Sequence, residues 1–152
     1  MSRLHRHLAH LVFLFVAALA LPLAAQAAGY VSIHGSAIHV RAQPGTHAPI
    51  QWELDDGYPL RVLHKKGRWL QVADYEATLG WVYAPLTRST PHRIVTAPSA
   101  RLRAGPGTGH RILATMQRNE IVRTLATRGG WVQVRRSGGQ RGWVAARLTW
   151  GW

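Results

Sequence analysis

The sequence predicts an all-β protein: two tandem small β-barrels behind an N-terminal signal peptide. Three observations predict it. The chain repeats itself at a shift of 62 residues. Each copy consists of short runs that alternate apolar and polar residues between Gly- and Pro-containing turns. The first 27 residues have the layout of an export signal. The expected boundaries are 1–27 for the signal, 28–87 for the first barrel, 88–91 for a linker and 92–152 for the second barrel.

The signal reads in three parts. Arg3 and Arg6 give a positive start, Leu11 to Leu23 form an apolar run, and Ala25-Gln26-Ala27 places small residues where a signal peptidase cuts. That run has 13 residues, short of the ~20 that span a bilayer. Cleavage after Ala27 leaves 125 of the 152 residues, with no expected membrane span. The expected location is periplasmic or secreted.

The repeat aligns Arg41–Thr87 with Arg103–Thr149 without a gap, at 18 identities in 47 columns. They fall on residues that set turns and fill cores, so the two copies share a fold. Two copies are too few for a solenoid, and each must close its own core. In Ile38-His39-Val40-Arg41-Ala42, alternation turns His39 and Arg41 outward. Ala100-Arg101-Leu102-Arg103-Ala104 does the same with Arg101 and Arg103. Pro44-Gly45 and Pro106-Gly107 enforce a turn. Strands follow at Leu60–Leu63 and Ile121–Leu125. Gly67-Arg68 and Gly129-Gly130 make hairpins into Trp69–Val72 and Trp131–Val134. Ser137-Gly138-Gly139 turns the second copy into Gly142-Trp143-Val144, and Ala84–Leu86 has room for one helical turn. Five or six strands in each copy are expected. There is no cysteine, so packing alone must hold these small cores.

The motifs Val40-Arg41-Ala42-x-Pro44-Gly45-Thr46, Gly67-x-Trp69-x-x-Val72 and Gly80-Trp81-Val82-x-x-x-Leu86 resemble the bacterial SH3-like (SH3b) domain. The second copy matches at Leu102-Arg103-Ala104-x-Pro106-Gly107-Thr108, Gly129-x-Trp131-x-x-Val134 and Gly142-Trp143-Val144-x-x-x-Leu148. His39 and Arg101 stand where the family usually has Asn. The resemblance implies SH3-like barrels that accompany cell-wall enzymes and bind peptidoglycan or its peptides, although a fold alone does not fix function.

The side chains present favour binding over catalysis, so no enzyme activity is expected. The cysteine nucleophile common among wall hydrolases is missing. Asp55-Asp56 beside Gly57 reads as a solvated turn, and Asp74 and Glu76 lie in a hairpin rather than as a glycosidase pair. No serine sits in a nucleophile-elbow pattern. The histidines have no metal-ligand spacing, and neither metal nor cofactor is expected. All seven tryptophans lie beyond residue 27. Trp81 and Trp143, between Gly and Val, are expected to fill the cores. Trp69 and Trp131 lie either in the core or on a groove rim, where an indole face stacks against sugar or peptide. Trp150 and Trp152 either cap a barrel end or form an exposed tip, and Trp150 is retained as a candidate contact.

Charge is lopsided. Residues 28–87 carry five basic and five acidic side chains, whereas 88–152 carry twelve arginines and one acid, Glu120, a net +11. Arg101 and Arg103 share one outward face, and Arg135, Arg136 and Arg141 flank the Gly-rich turn. Arginine forks onto carboxylate and phosphate, and a field of this size attracts anions. The expected partner is therefore peptidoglycan or another anionic envelope polymer. A periplasmic adaptor holding an envelope protein is the alternative. Anionic lipid is a third reading, and nucleic acid is not expected to meet an exported chain.

Overall fold

The computed structural model describes residues 29–152; the expected signal peptide, 1–27, lies outside them. Fourteen strands form two seven-stranded sheets. The first holds β1 (Tyr30–Ile33), β2 (Ile38–Arg41), β3 (Ile50–Leu54), β4 (Pro59–Lys66), β5 (Trp69–Ala73), β6 (Leu79–Tyr83) and β7 (Thr87–Arg88). The second holds β8 (His92–Val95), β9 (Ser99–Arg103), β10 (Ile112–Gln117), β11 (Ile121–Arg128), β12 (Trp131–Arg135), β13 (Arg141–Ala145) and β14 (Thr149–Gly151). Strand order is β3-β2-β6-β5-β4-β1-β7 in the first and β10-β9-β13-β12-β11-β8-β14 in the second, so the topology repeats. Single 3-10 turns, Ala84–Leu86 and Ala146–Leu148, precede the last strand of each sheet. Among the described residues no helix is long and apolar enough to cross a membrane.

Each sheet curls around its own core. Ile33, Val40, Leu60, Val72 and Val82 are buried together in the first barrel. Val95, Leu102, Met116, Val122, Val134 and Val144 are buried together in the second. The alternation read from the sequence places Val40 and Leu102 inward, with His39, Arg41, Arg101 and Arg103 outward.

The tryptophans of the Gly-Trp-Val motif correct the expectation. Gly80 and Val82 are buried, whereas Trp81 faces outward and is half-buried; Gly142, Val144 and Trp143 repeat this. The reason is space. A Cβ on Gly142 would lie 2.6 Å from Leu102 Cγ and 2.9 Å from the Arg103 carbonyl oxygen, and one on Gly80 would lie 2.4 Å from Val40 Cγ1. No indole fits where a methyl group does not, so period-two alternation turns the tryptophan to the outside.

The chain crosses between sheets at Ser89, Thr90 and Pro91. Arg88 pairs with Ser32 in the first sheet, and its guanidinium bonds to Asp56. With Arg88 counted in the first barrel, residues 28–88 carry 6 − 5 = +1 and residues 89–152 carry 11 − 1 = +10. The barrels touch. Tyr30 stacks on Trp152 and meets Trp150 edge-on, each at 5.4 Å between ring centroids. Tyr75 Oη donates to Asn119 Oδ1 at 3.1 Å. Gly57, at φ +83°, lies so close to the second barrel that a Cβ there would approach His92 Cδ2 to 2.9 Å and Ile121 Cγ2 to 3.1 Å.

His92 is buried at this junction. Burial pushes its imidazole below the ordinary value of 6.5, against the opposing effect of its hydrogen bond to the Thr90 carbonyl. A carbonyl only accepts, so Nδ1 carries the proton. The unfolded chain thus takes up a proton that the folded chain refuses, and stability is lost as pH falls below about 6.5.

Two predictions follow from this packing. Gly142→Ala lowers stability by about 1–3 kcal/mol through overpacking, read as a fall in the thermal midpoint; an unchanged midpoint would show that the core has slack at that position. The wild-type midpoint drops between pH 7.5 and 5.5, and His92→Gln flattens part of that drop. A variant with the same pH slope would place the titrating group elsewhere.

Candidate ligand-binding grooves

Two outer-face grooves occupy equivalent positions on the two barrels. In the first, β5 ends its hairpin on Trp69, and inward Leu70 and Val72 leave Trp69 and Gln71 facing out. Tyr83 is the register partner of Trp69 on β6, and their rings lie 5.4 Å apart at 54°. The Arg68 guanidinium sits 5.2 Å over the Tyr83 ring. With His39, Arg41 and Thr46 these rings line a groove of about 570 Å³. In the second barrel the residues 62 positions later, Trp131, Ala145, Arg101, Arg103 and Thr108, line a groove of about 230 Å³, together with Arg147.

The Arg-Ala-x-Pro-Gly-Thr motif builds the wall opposite the tryptophan. Arg41 Nη1 donates to the Ala48 carbonyl at 2.7 Å, and Arg103 Nη1 donates to the carbonyls of Thr108 (2.8 Å) and His110 (2.9 Å). Each guanidinium therefore fastens the loop that follows its own strand. In the first groove Arg41 Nη2 also donates to His39 Nδ1 at 3.3 Å, which leaves His39 Nε2 to donate to Glu53 at 3.0 Å. The second groove has no such chain. Arg101 replaces His39 and faces Thr115 where His39 faces Glu53. Arg101 has no side-chain hydrogen bond or ion pair among the described residues, and this groove is cationic. Its tryptophan also lacks the tyrosine partner, because Ala145 replaces Tyr83.

Residues 35–89 match the family SH3_4 and residues 98–149 match SH3_3, each described as a bacterial SH3 domain. The chain is a tandem pair of bacterial SH3 domains. Over 134 residues, 81% of its length, it is 24% identical to a Bacillus subtilis (strain 168) protein named "Putative N-acetylmuramoyl-L-alanine amidase YrvJ", of which it spans 26%. Among solved structures it is similar to an NlpC/P60 family protein from Bacillus cereus ATCC 10987, at 17% identity and a TM-score of 0.38, covering 82% of this chain and 56% of that one. NlpC2 from Trichomonas vaginalis is similar at 14% identity and a TM-score of 0.36, covering 82% and 48%.

The two SH3 domains distribute the sequence candidates over three places. Trp69 lies in the first groove, and Trp131, Arg101 and Arg103 lie in the second. Trp150 packs on Tyr30 at the domain junction, away from both grooves. Arg135 and Arg136 line a cleft between the domains, with Arg141 beside Arg135 on the next strand. Arg136 is already occupied: its guanidinium bonds to Glu120 at 2.5 and 3.1 Å and to Gln140 at 3.0 Å. The hydrogen bonds to Glu120 raise its pKa above the ordinary arginine value. Tyr83 and Arg147 were missed as groove residues. The signal for Tyr83 was its place two residues after Trp81, on the outward phase of the same strand.

Because Arg103 holds two carbonyls, Arg103→Met frees the 104–110 loop. Loss of a charged hydrogen bond of about 1.5 kcal/mol speeds amide exchange in that loop about tenfold relative to strands β12 and β13, as read by hydrogen–deuterium exchange. Unchanged exchange would show that the Pro106-Gly107 turn holds itself.

Proposed function

We propose that this chain is a non-catalytic, exported binding protein whose two SH3 grooves hold peptidoglycan or its stem peptides. One observation carries the reading: the same outer groove recurs 62 residues apart, with a tryptophan on one wall and an arginine-fastened loop on the other. Indole faces suit sugar rings and peptide planes. Arg101 and Arg147 suit the carboxylates of stem peptides. The first groove, with Trp69, Tyr83 and a histidine, suits the less charged part of the same polymer.

Further support comes from the likeness to the protein named "Putative N-acetylmuramoyl-L-alanine amidase YrvJ" and from the signal-like pattern of residues 1–27. A binding role also fits the use of the acids. Asp56 and Glu120 are held by arginines. Asp55 and Asp74 accept turn hydrogen bonds, and Glu53 is bonded to His39.

Co-sedimentation with purified sacculi at low salt tests the proposal. Trp69→Ala and Trp131→Ala each weaken retention about fivefold, corresponding to about 1 kcal/mol of lost stacking, and the double variant weakens it further. If the folded wild-type protein stays in the supernatant, or the double variant sediments as well as wild type, the grooves do not bind the wall.

A further inference from the structure

The second domain holds three arginines in a row on adjacent strands. Arg123 on β11 is the register partner of Arg135 on β12, and Arg135 is the register partner of Arg141 on β13. Their inward neighbours Val122, Val134 and Gly142 are buried, so all three side chains leave the same outer face. With strands about 4.8 Å apart, the row spans about 10 Å. Like charges placed directly opposite one another on a sheet destabilise it. Among the described residues, none of the three makes a side-chain hydrogen bond or an ion pair.

The acids nearby do not offset this repulsion. Arg123 and Arg135 line the cleft of about 770 Å³ between the domains, and the two carboxylates in that cleft, Asp56 and Glu120, are already bonded to Arg88 and Arg136. Nor is the row a requirement of the fold. The matching positions of the first domain are Arg61, Ala73 and Leu79, in the same register. The topology tolerates a single charge there, and the second domain carries three.

We infer that the Arg123–Arg135–Arg141 row is a binding site for a linear polyanion with consecutive phosphate groups, one end of which enters the cleft between the domains. A lone carboxylate would meet one fork of this row. A chain that presents a charged oxygen pair every few ångströms meets each guanidinium in turn. The site stands about 13 Å from Trp131 along β12, at four residues of strand rise, and does not depend on the groove reading.

Titration calorimetry of the purified protein with sodium tripolyphosphate, inorganic monophosphate and citrate at low salt is the test. Tripolyphosphate is expected to bind at least tenfold more tightly than either of the others. The double variant Arg123→Gln, Arg135→Gln is expected to lose at least tenfold. Arg111→Gln, Arg128→Gln, which removes the same charge from exposed positions elsewhere, is expected to lose less than threefold. The Arg123, Arg135 variant is also expected to unfold at the same or a higher temperature, because it relieves repulsion. Equal losses in the two variants would replace the site with a diffuse field, and citrate binding as tight as tripolyphosphate would replace phosphate with carboxylate. A lower unfolding temperature would make the arginines structural. Retention on phosphatidylglycerol vesicles without tripolyphosphate binding would point to a membrane surface and overturn the proposal. Trp131→Ala is expected to leave tripolyphosphate binding unchanged, which separates this site from the wall-binding grooves.

Discussion

The inner face of each barrel has no room for a methyl group at Gly80 or Gly142, and much of the outer surface depends on that constraint. Valine, leucine, isoleucine and methionine fill the two cores, and the Gly-Trp-Val strand crosses them at the tightest point. With glycine and valine facing in, the strand must carry its tryptophan outward. The neighbouring strand obeys the same phase: Leu70 and Val72, or Val132 and Val134, fill the core and turn Trp69 or Trp131 to the surface. Trp69, Trp81, Trp131 and Trp143 thus lie on the outer faces, whereas Trp52, the register partner of Val40, packs against the first core.

The second structural device is the arginine at the end of β2 and β9. Pro-Gly turns fix local backbone direction but leave carbonyls unpaired. Arg41 and Arg103 satisfy those carbonyls from across the loop. This accounts for the identity of the Arg-Ala-x-Pro-Gly-Thr segment in both copies, whereas the residue two before the arginine differs. His39 joins a hydrogen-bond chain to Glu53 and lowers the free charge of its groove. Arg101 has no acid to join and leaves its groove positive. One exchange on one strand, with its cross-strand partner, therefore changes what each groove can hold.

Much of the fold was legible because its signals are local. Alternation, Pro-Gly turns and Gly-Gly hairpins fixed the phase of most strands, and the internal repeat required each half to close by itself. The short β1, β7, β8 and β14 carry weak alternation, and each sheet has seven strands rather than five or six. The size and apolarity of the Gly-Trp-Val tryptophans suggest burial, but the strand's phase assigns the inner positions to glycine and valine. The pairing of Arg136 with Glu120 is not legible locally, because Glu120 lies sixteen residues away on a separate turn. The contact of Trp150 and Trp152 with Tyr30 joins residues more than a hundred apart, and no pattern within one copy encodes it.

That long-range contact explains how one chain supports two unlike domains. Tyr30 with Trp150 and Trp152, Tyr75 with Asn119, and Gly57 against His92 and Ile121 pack the near-neutral domain onto the strongly basic one. The basic domain tolerates its arginine row because the row lies on strands whose inner faces, Val122, Val134 and Gly142, pack fully into the core. Repulsion on the outside is set against apolar burial on the inside, which scales with area and does not depend on which polar residues the outer face carries. The two copies share one barrel topology and differ in the charge that their surfaces carry. The junction brings the two unlike surfaces together in one chain, while the second domain's groove and the arginine row stay separate sites, about 13 Å apart along β12.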